Sequence, residues 1–182
     1  GAIQCCTSDI TVAEFKTLRG KMDAADTSAT SIEDYMNATA GYRTDLYATP
    51  ASGTLMTHKE SIQLFNQLGV DFTPELKSPS VAMPFDGDYT QQDYAQQMIN
   101  EYKQAHIHPS RVWPQSFNYD DIMYWVEHEP AFGRQAAYLL QTGLDTTTLT
   151  DMRDWYHSGV RVIAPATFML VDVDSYGNMV AS

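Results

Sequence analysis

Thr73-Pro74-Glu75-Leu76-Lys77 is the stretch of this sequence best equipped for chemistry. On an extended chain side chains alternate, so Thr73, Glu75 and Lys77 share one face. A carboxylate and an ammonium two residues apart, closing a buried strand, are costly unless paired or bound to a metal. Two arrangements meet that cost: an ion pair at an exposed strand edge, or a site in which Glu75 meets a cation. Trp113-Pro114-Gln115-Ser116-Phe117 is the second such stretch. Trp113, Gln115 and Phe117 share a face, and an amide beside aromatics suits a ligand pocket, although cores use the same pattern. Val162-Ile163-Ala164-Pro165-Ala166 reads as a strand that ends in a Pro turn and offers no reactive group.

The five histidines are weaker candidates. His106 and His108 have the H-x-H spacing of metal ligands, but they lie between a helix end and Pro109, where a solvated loop is expected. His58 falls in the first turn of a helix with no carboxylate partner evident. His128 and His157 end helices, where a cation favours the dipole. There is no G-x-S-x-G, no P-loop and no G-x-G-x-x-G. Asp86, Asp88, Asp120 and Asp121 read as loop or cap acids, and Asp86-Gly87-Asp88 lacks the spacing of a calcium loop. Asn37-Ala38-Thr39 is an N-glycosylation acceptor in a eukaryotic secretory setting. Cys5 and Cys6 are adjacent; neighbours rarely bond each other without strain, so they are expected to pair outside this chain or to stay as thiols. They make no zinc site.

The elements that must position these residues have a regular order. Thr11-Val12-Ala13-Glu14, Thr57-His58-Lys59-Glu60 and Thr90-Gln91-Gln92-Asp93 read as capping boxes, each opening a helix. The first helix runs to Gly20 and the second to Gly69. Two further helices are expected, from Asp120 to Glu127 and from Leu149 to His157. Strands are expected at 70–77, 111–117, 136–140 and 160–164. Helix alternating with strand implies parallel strands joined by crossover helices, hence an α/β fold. In such folds the site lies at the carboxyl ends of the strands, where Glu75, Lys77, Gln115 and Phe117 fall. Residues 21–54, rich in Thr, Ala, Ser and Asp, read as an insertion with some helix.

Composition narrows the partners. The chain has 182 residues, with 11 Lys plus Arg against 23 Asp plus Glu, a net charge of −12. Nucleic acid and anionic membrane require basic surface, so neither is expected as a partner. No apolar run reaches the roughly 18 residues of a membrane span, and residues 1–6 show no signal peptide.

Leu55-Met56-Thr57, the helix through Gly69, Phe72-Thr73-Pro74-Glu75-Leu76-Lys77 and Arg111-Val112-Trp113-Pro114-Gln115-Ser116-Phe117 together resemble the glycerophosphodiester phosphodiesterase family. The likeness is to a larger, exported branch and runs from about Cys5 to Val171. The resemblance implies a TIM-type (β/α)₈ barrel that hydrolyses glycerophosphodiesters to glycerol 3-phosphate and an alcohol, with two histidines for acid–base work. It implies Glu75 as a ligand of a divalent cation, Ca²⁺ or Mg²⁺, and Lys77 beside the substrate phosphate. The family's His-Arg-Gly, Glu-x-Asp and His-Asp motifs are not present, and none of the histidines stands in a matching motif. The chain is therefore expected to be a partial barrel, roughly strands four to seven, forming one incomplete domain over 1–182 and inactive alone. A glycosidase with Glu75 as one of two carboxylates, or a barrel-derived binding module without catalysis, are the alternatives.

Overall fold

The computed structural model describes residues 6–18, 20, 28–32, 34, 54–141 and 147–181. Cys5, the Asn37 acceptor and most of the 21–54 insertion lie outside them. Chain contacts define two compact units, Gly1–Thr57 and His58–Ser182. In the first, helix α1 (Val12–Phe15) opens on the expected box: Glu14 N–H donates to Thr11 Oγ1 at 3.2 Å, and Thr11 N–H to Glu14 Oε2 at 2.8 Å.

The second unit alternates helices with parallel segments. Its helices are α2 (His58–Leu68), α3 (Gln91–Gln104), α4 (Tyr119–His128), α5 (Pro130–Gly133) and α6 (Leu149–Ser158). Thr90 and Thr148 cap α3 and α6 in reciprocal boxes with Asp93 and Asp151. Asn118 caps α4. Gly69 and Gly159 take positive φ, 71° and 111°, which lets the chain leave α2 and α6 as only glycine does readily.

Strands β1 (Gln115–Ser116), β2 (Ala137–Leu139) and β3 (Val162–Ala164) form a parallel sheet in chain order. Gln115 lies opposite Ala137, and Ala137 opposite Val162. The strand expected at 70–77 is present but broken. Phe72 bridges Val112 and Glu75 bridges Gln115, both parallel and both with an offset of 40 residues. Phe72 N–H donates to the Arg111 carbonyl at 2.8 Å and Leu76 N–H to that of Gln115 at 2.9 Å. Between them stands Pro74, whose carbonyl accepts from Gln115 N–H but which has no N–H to give to Trp113. One absent donor thus splits a strand into two bridges. The other expected strands are shorter than their runs: Arg111 belongs to the 3-10 turn Pro109–Arg111, Val112 makes only a bridge, and Ala136, Leu140, Val160 and Arg161 stand outside β2 and β3.

Phe72, Leu76, Val112, Ile122, Trp125, Phe132 and Val160 are buried in one core with Ile62 of α2 and Ala95, Met98, Ile99 and Tyr102 of α3. Alternation sends Thr73, Glu75, Lys77, Trp113, Gln115 and Phe117 to the other face of the sheet, where each is half-buried or exposed.

Three elements depart from the expected alternation. Helix α5 follows α4 directly, with Pro130 at its first turn, a position that needs no N–H. Strands β4 (Val171–Val173) and β5 (Met179–Ala181) form an antiparallel hairpin. Its loop is held by Asp174 Oδ1, which accepts from the N–H groups of Tyr176 and Asn178, both at 2.9 Å. Among the described residues the sheet does not close into a barrel.

Candidate functional site

The register brings the four expected residues together. Glu75 lies opposite Gln115, and continuing the offset of 40 places Lys77 level with Phe117. All four stand at the carboxyl ends of two adjacent parallel segments, on the face turned from the core. Lys77 Nζ is 2.8 Å from Glu75 Oε1, and the side chains are 76% and 22% exposed. The ion pair, one of the two arrangements open from sequence, is the one formed. At that exposure it contributes about 0–1 kcal/mol. Gln115 Nε2 donates to the Thr73 carbonyl at 3.2 Å. Phe117 is exposed.

A cation was implied by resemblance. A hard divalent ion takes about six to eight oxygens. Among the described residues no three His, Cys, Asp or Glu side chains gather to hold one. The residues present therefore do not fit such an ion: Glu75 offers one carboxylate, and Lys77 already meets it.

A buried network supports the strand end. Ser116 Oγ donates to Asp121 Oδ2 at 2.8 Å, and Asn118 N–H donates to Ser116 Oγ at 3.0 Å. Asp121 Oδ1 accepts from Gln91 Nε2 at 2.8 Å. Asp121 is thus no cap acid, as its place in the sequence suggested; Asn118 takes that part and Asp121 turns inward. Burial pushes its carboxyl above the usual carboxylate range, and the bonds from Gln91 and Ser116 offset part of that rise. The network ties β1 to the starts of α3 and α4, so the backbone carrying Gln115 and Phe117 is fixed from behind. The Ser116-x-Asn118-x-x-Asp121 spacing was the visible trace of it.

His58 requires a correction. It has a carboxylate partner: Nδ1 lies 2.7 Å from Oε2 of the buried Glu101, and Nε2 lies 3.3 Å from Tyr102 Oη. The partners are 43 and 44 residues away, so no local pattern could have shown them. Burial and the Glu101 carboxylate hold the Tyr102 phenol far above its ordinary range. His108, by contrast, stays in its loop, where Nδ1 accepts from Ser110 N–H at 3.2 Å.

The chain is 43% identical over 166 residues to a protein of Arthroderma benhamiae described as an extracellular protein; the match covers 88% of this chain and 67% of that one. No family model matches the chain. No solved structure matches it. No described helix is long and apolar enough to cross a membrane.

Proposed function

The chain belongs to the family of the Arthroderma benhamiae extracellular protein, and from that premise we propose that it acts outside the cell as a phosphodiester-binding α/β protein. On this reading its strand ends are the recognition part of a glycerophosphodiesterase, its sheet is a section of that enzyme's (β/α)₈ barrel, and the 182 residues alone bind without hydrolysing. The observation that carries the reading is the in-register grouping of Glu75, Lys77, Gln115 and Phe117 at the carboxyl ends of parallel segments.

Each side chain has a task that its geometry permits. A phosphodiester is a monoanion with two free oxygens. Lys77 exchanges Glu75 for one of them cheaply, because an exposed ion pair is worth only about 0–1 kcal/mol. The Gln115 amide turns from the Thr73 carbonyl to the second oxygen, giving up one bond worth about 1 kcal/mol. Phe117 covers the apolar side of the leaving alcohol. Glu75, released from Lys77, accepts from a glycerol hydroxyl. Hydrolysis needs in addition a proton donor for the departing alkoxide and charge stabilisation on the phosphate oxygens. The described strand ends supply only Lys77 towards this. A glycosidase would need a second carboxylate facing Glu75, and among the described residues no Asp or Glu stands at the carboxyl ends of the parallel strands β2 and β3.

The test is a titration of the purified chain with glycerophosphocholine, followed by ³¹P NMR. Millimolar binding is expected, weakened about tenfold in Lys77→Ala and in Gln115→Ala, with no glycerol 3-phosphate formed in Ca²⁺ or Mg²⁺. Hydrolysis by the purified chain would overturn the binding-only role. Binding indifferent to both substitutions, or no binding, would overturn the site.

A further inference from the structure

A pocket of about 360 Å³ lies between α2 and the edge segment 70–75. His58, Ser61 and Phe65, three and four residues apart on α2, form one wall; Phe72, Glu75 and Tyr102 belong to the other. We propose that this pocket binds a small neutral polyol of monosaccharide size, read by the His58–Glu101 pair, Tyr102 and Phe65. The proposal does not rest on phosphodiester binding, which uses Lys77, Gln115, Phe117 and Glu75; of these only Glu75 also lines this pocket.

The first argument is the state of the polar groups. Glu101 is buried and accepts from His58 Nδ1, which leaves Nε2 as the nitrogen on the pocket side. A carboxylate on one imidazole nitrogen fixes the ring and sets the role of the other. Nε2 and Tyr102 Oη are 3.3 Å apart, so the single lone pair of Nε2 takes a long bond from the Tyr102 hydroxyl, and the phenol oxygen keeps its lone pairs for a ligand hydroxyl. Ser61 Oγ donates its proton to the His58 carbonyl at 2.8 Å, so towards a ligand it can only accept. Groups that mostly accept select a ligand that donates.

Charge decides between the two kinds of donor, hydroxyl and ammonium. The two acids that line the pocket are already met: Glu75 by Lys77 at 2.8 Å, and Asp71 by Arg111 at 3.2 Å. Their charge is locally balanced, so a cation gains little from them and an anion would meet their oxygens. A neutral hydroxylated molecule fits both facts. The Phe65 ring, partly exposed and 6.4 Å from that of Phe72, offers an aromatic surface to the C–H face of a sugar. The volume is near the lower end of the roughly 300–1,000 Å³ of ligand pockets, which suits one ring rather than a chain.

The experiment follows the His58 Cε1–H resonance of the whole 182-residue protein, assigned by its loss in His58→Gln. Glucose, mannose, myo-inositol, choline and inorganic phosphate are the probes. A saturable shift with at least one of the three neutral probes, at millimolar concentration, supports the proposal. Phe65→Ala alters an exposed side chain and should weaken that binding about tenfold, as should Tyr102→Phe. No saturable shift with any neutral probe overturns the proposal, as does a saturable shift with choline or phosphate alone, or binding unchanged in both variants. Phosphodiester binding that fails in Lys77→Ala while the His58 response survives separates the two sites.

Discussion

Gly133 shows how closely a single position can be set by its neighbours. A Cβ built on it would stand 2.4 Å from the Trp125 carbonyl oxygen and 2.6 Å from the Val126 Cα. Both are backbone atoms of α4 and cannot swing aside. The approach is what lets α5 fold back on α4 and bury Phe132. Gly133→Ala should therefore lower stability by about 1–3 kcal/mol, read as a lower urea midpoint; an unchanged midpoint would refute the crowding. Asp121 gives a second prediction at this scale. Its folded pKa is raised above the ordinary 3.8 by burial. The charged form is therefore disfavoured in the folded state, and the cost is full at neutral pH. It is relieved as pH falls through the folded value and is gone below the unfolded one. In Asp121→Asn that relief is absent. The variant's stability relative to the native chain should fall between pH 7 and pH 4, and parallel urea midpoints across that range would refute it.

Helix α6 shows what a cap does for an element with few anchors. Asp151 N–H donates to Thr148 Oγ1 at 3.1 Å and Thr148 N–H to Asp151 Oδ2 at 2.7 Å, which answers donors that α6 cannot satisfy itself. No residue of α6 is fully buried. Thr148→Ala should cost about 1 kcal/mol, seen as faster amide exchange confined to 149–158; uniform protection would refute it. The bonds from Thr148 lower the Asp151 pKa, so this box contributes above the unfolded value and is lost as pH falls through the lower folded one. Such boxes explain why the helices were legible in the sequence: their signals at Thr11 and Thr90 are local. The strand at 70–77 was legible as an apolar run, but its break was not, because the effect of Pro74 depends on which way its backbone faces. Glu75 with Lys77 and Gln115 with Phe117 were legible as pairs by alternation alone, whereas their meeting depends on register. His58 with Glu101, and Asp121 with Gln91, were not legible, since each joins side chains from different helices. The β4–β5 hairpin left only the Asp174–Asn178 loop as a trace.

At the scale of the molecule, the sheet and the charge pull in different directions. Parallel sheets are ordinarily covered on both faces. Here the face bearing Gln115 and Phe117 is half-buried to exposed, so the fold holds a smaller apolar reserve than four βα units could supply. Against that reserve stands a net charge of −12. The more exposed ion pairs do little to balance it: Lys77 with Glu75 and Arg111 with Asp71 are each worth about 0–1 kcal/mol. Folding brings the remaining carboxylates closer than they are in the open chain, so their repulsion weighs on the folded state more than on the unfolded one. Salt weakens both the surface pairs and the repulsion. The excess of acids makes the repulsion the larger of the two. The screening length falls from about 30 Å at 0.01 M to about 10 Å at 0.1 M. The melting temperature should therefore rise across that range, equally in NaCl and KCl. The same rise should be smaller at pH 4, where part of the carboxylates are protonated. A melting temperature that falls with salt at pH 7 would mean that attractive pairs, rather than excess negative charge, dominate the surface of this protein.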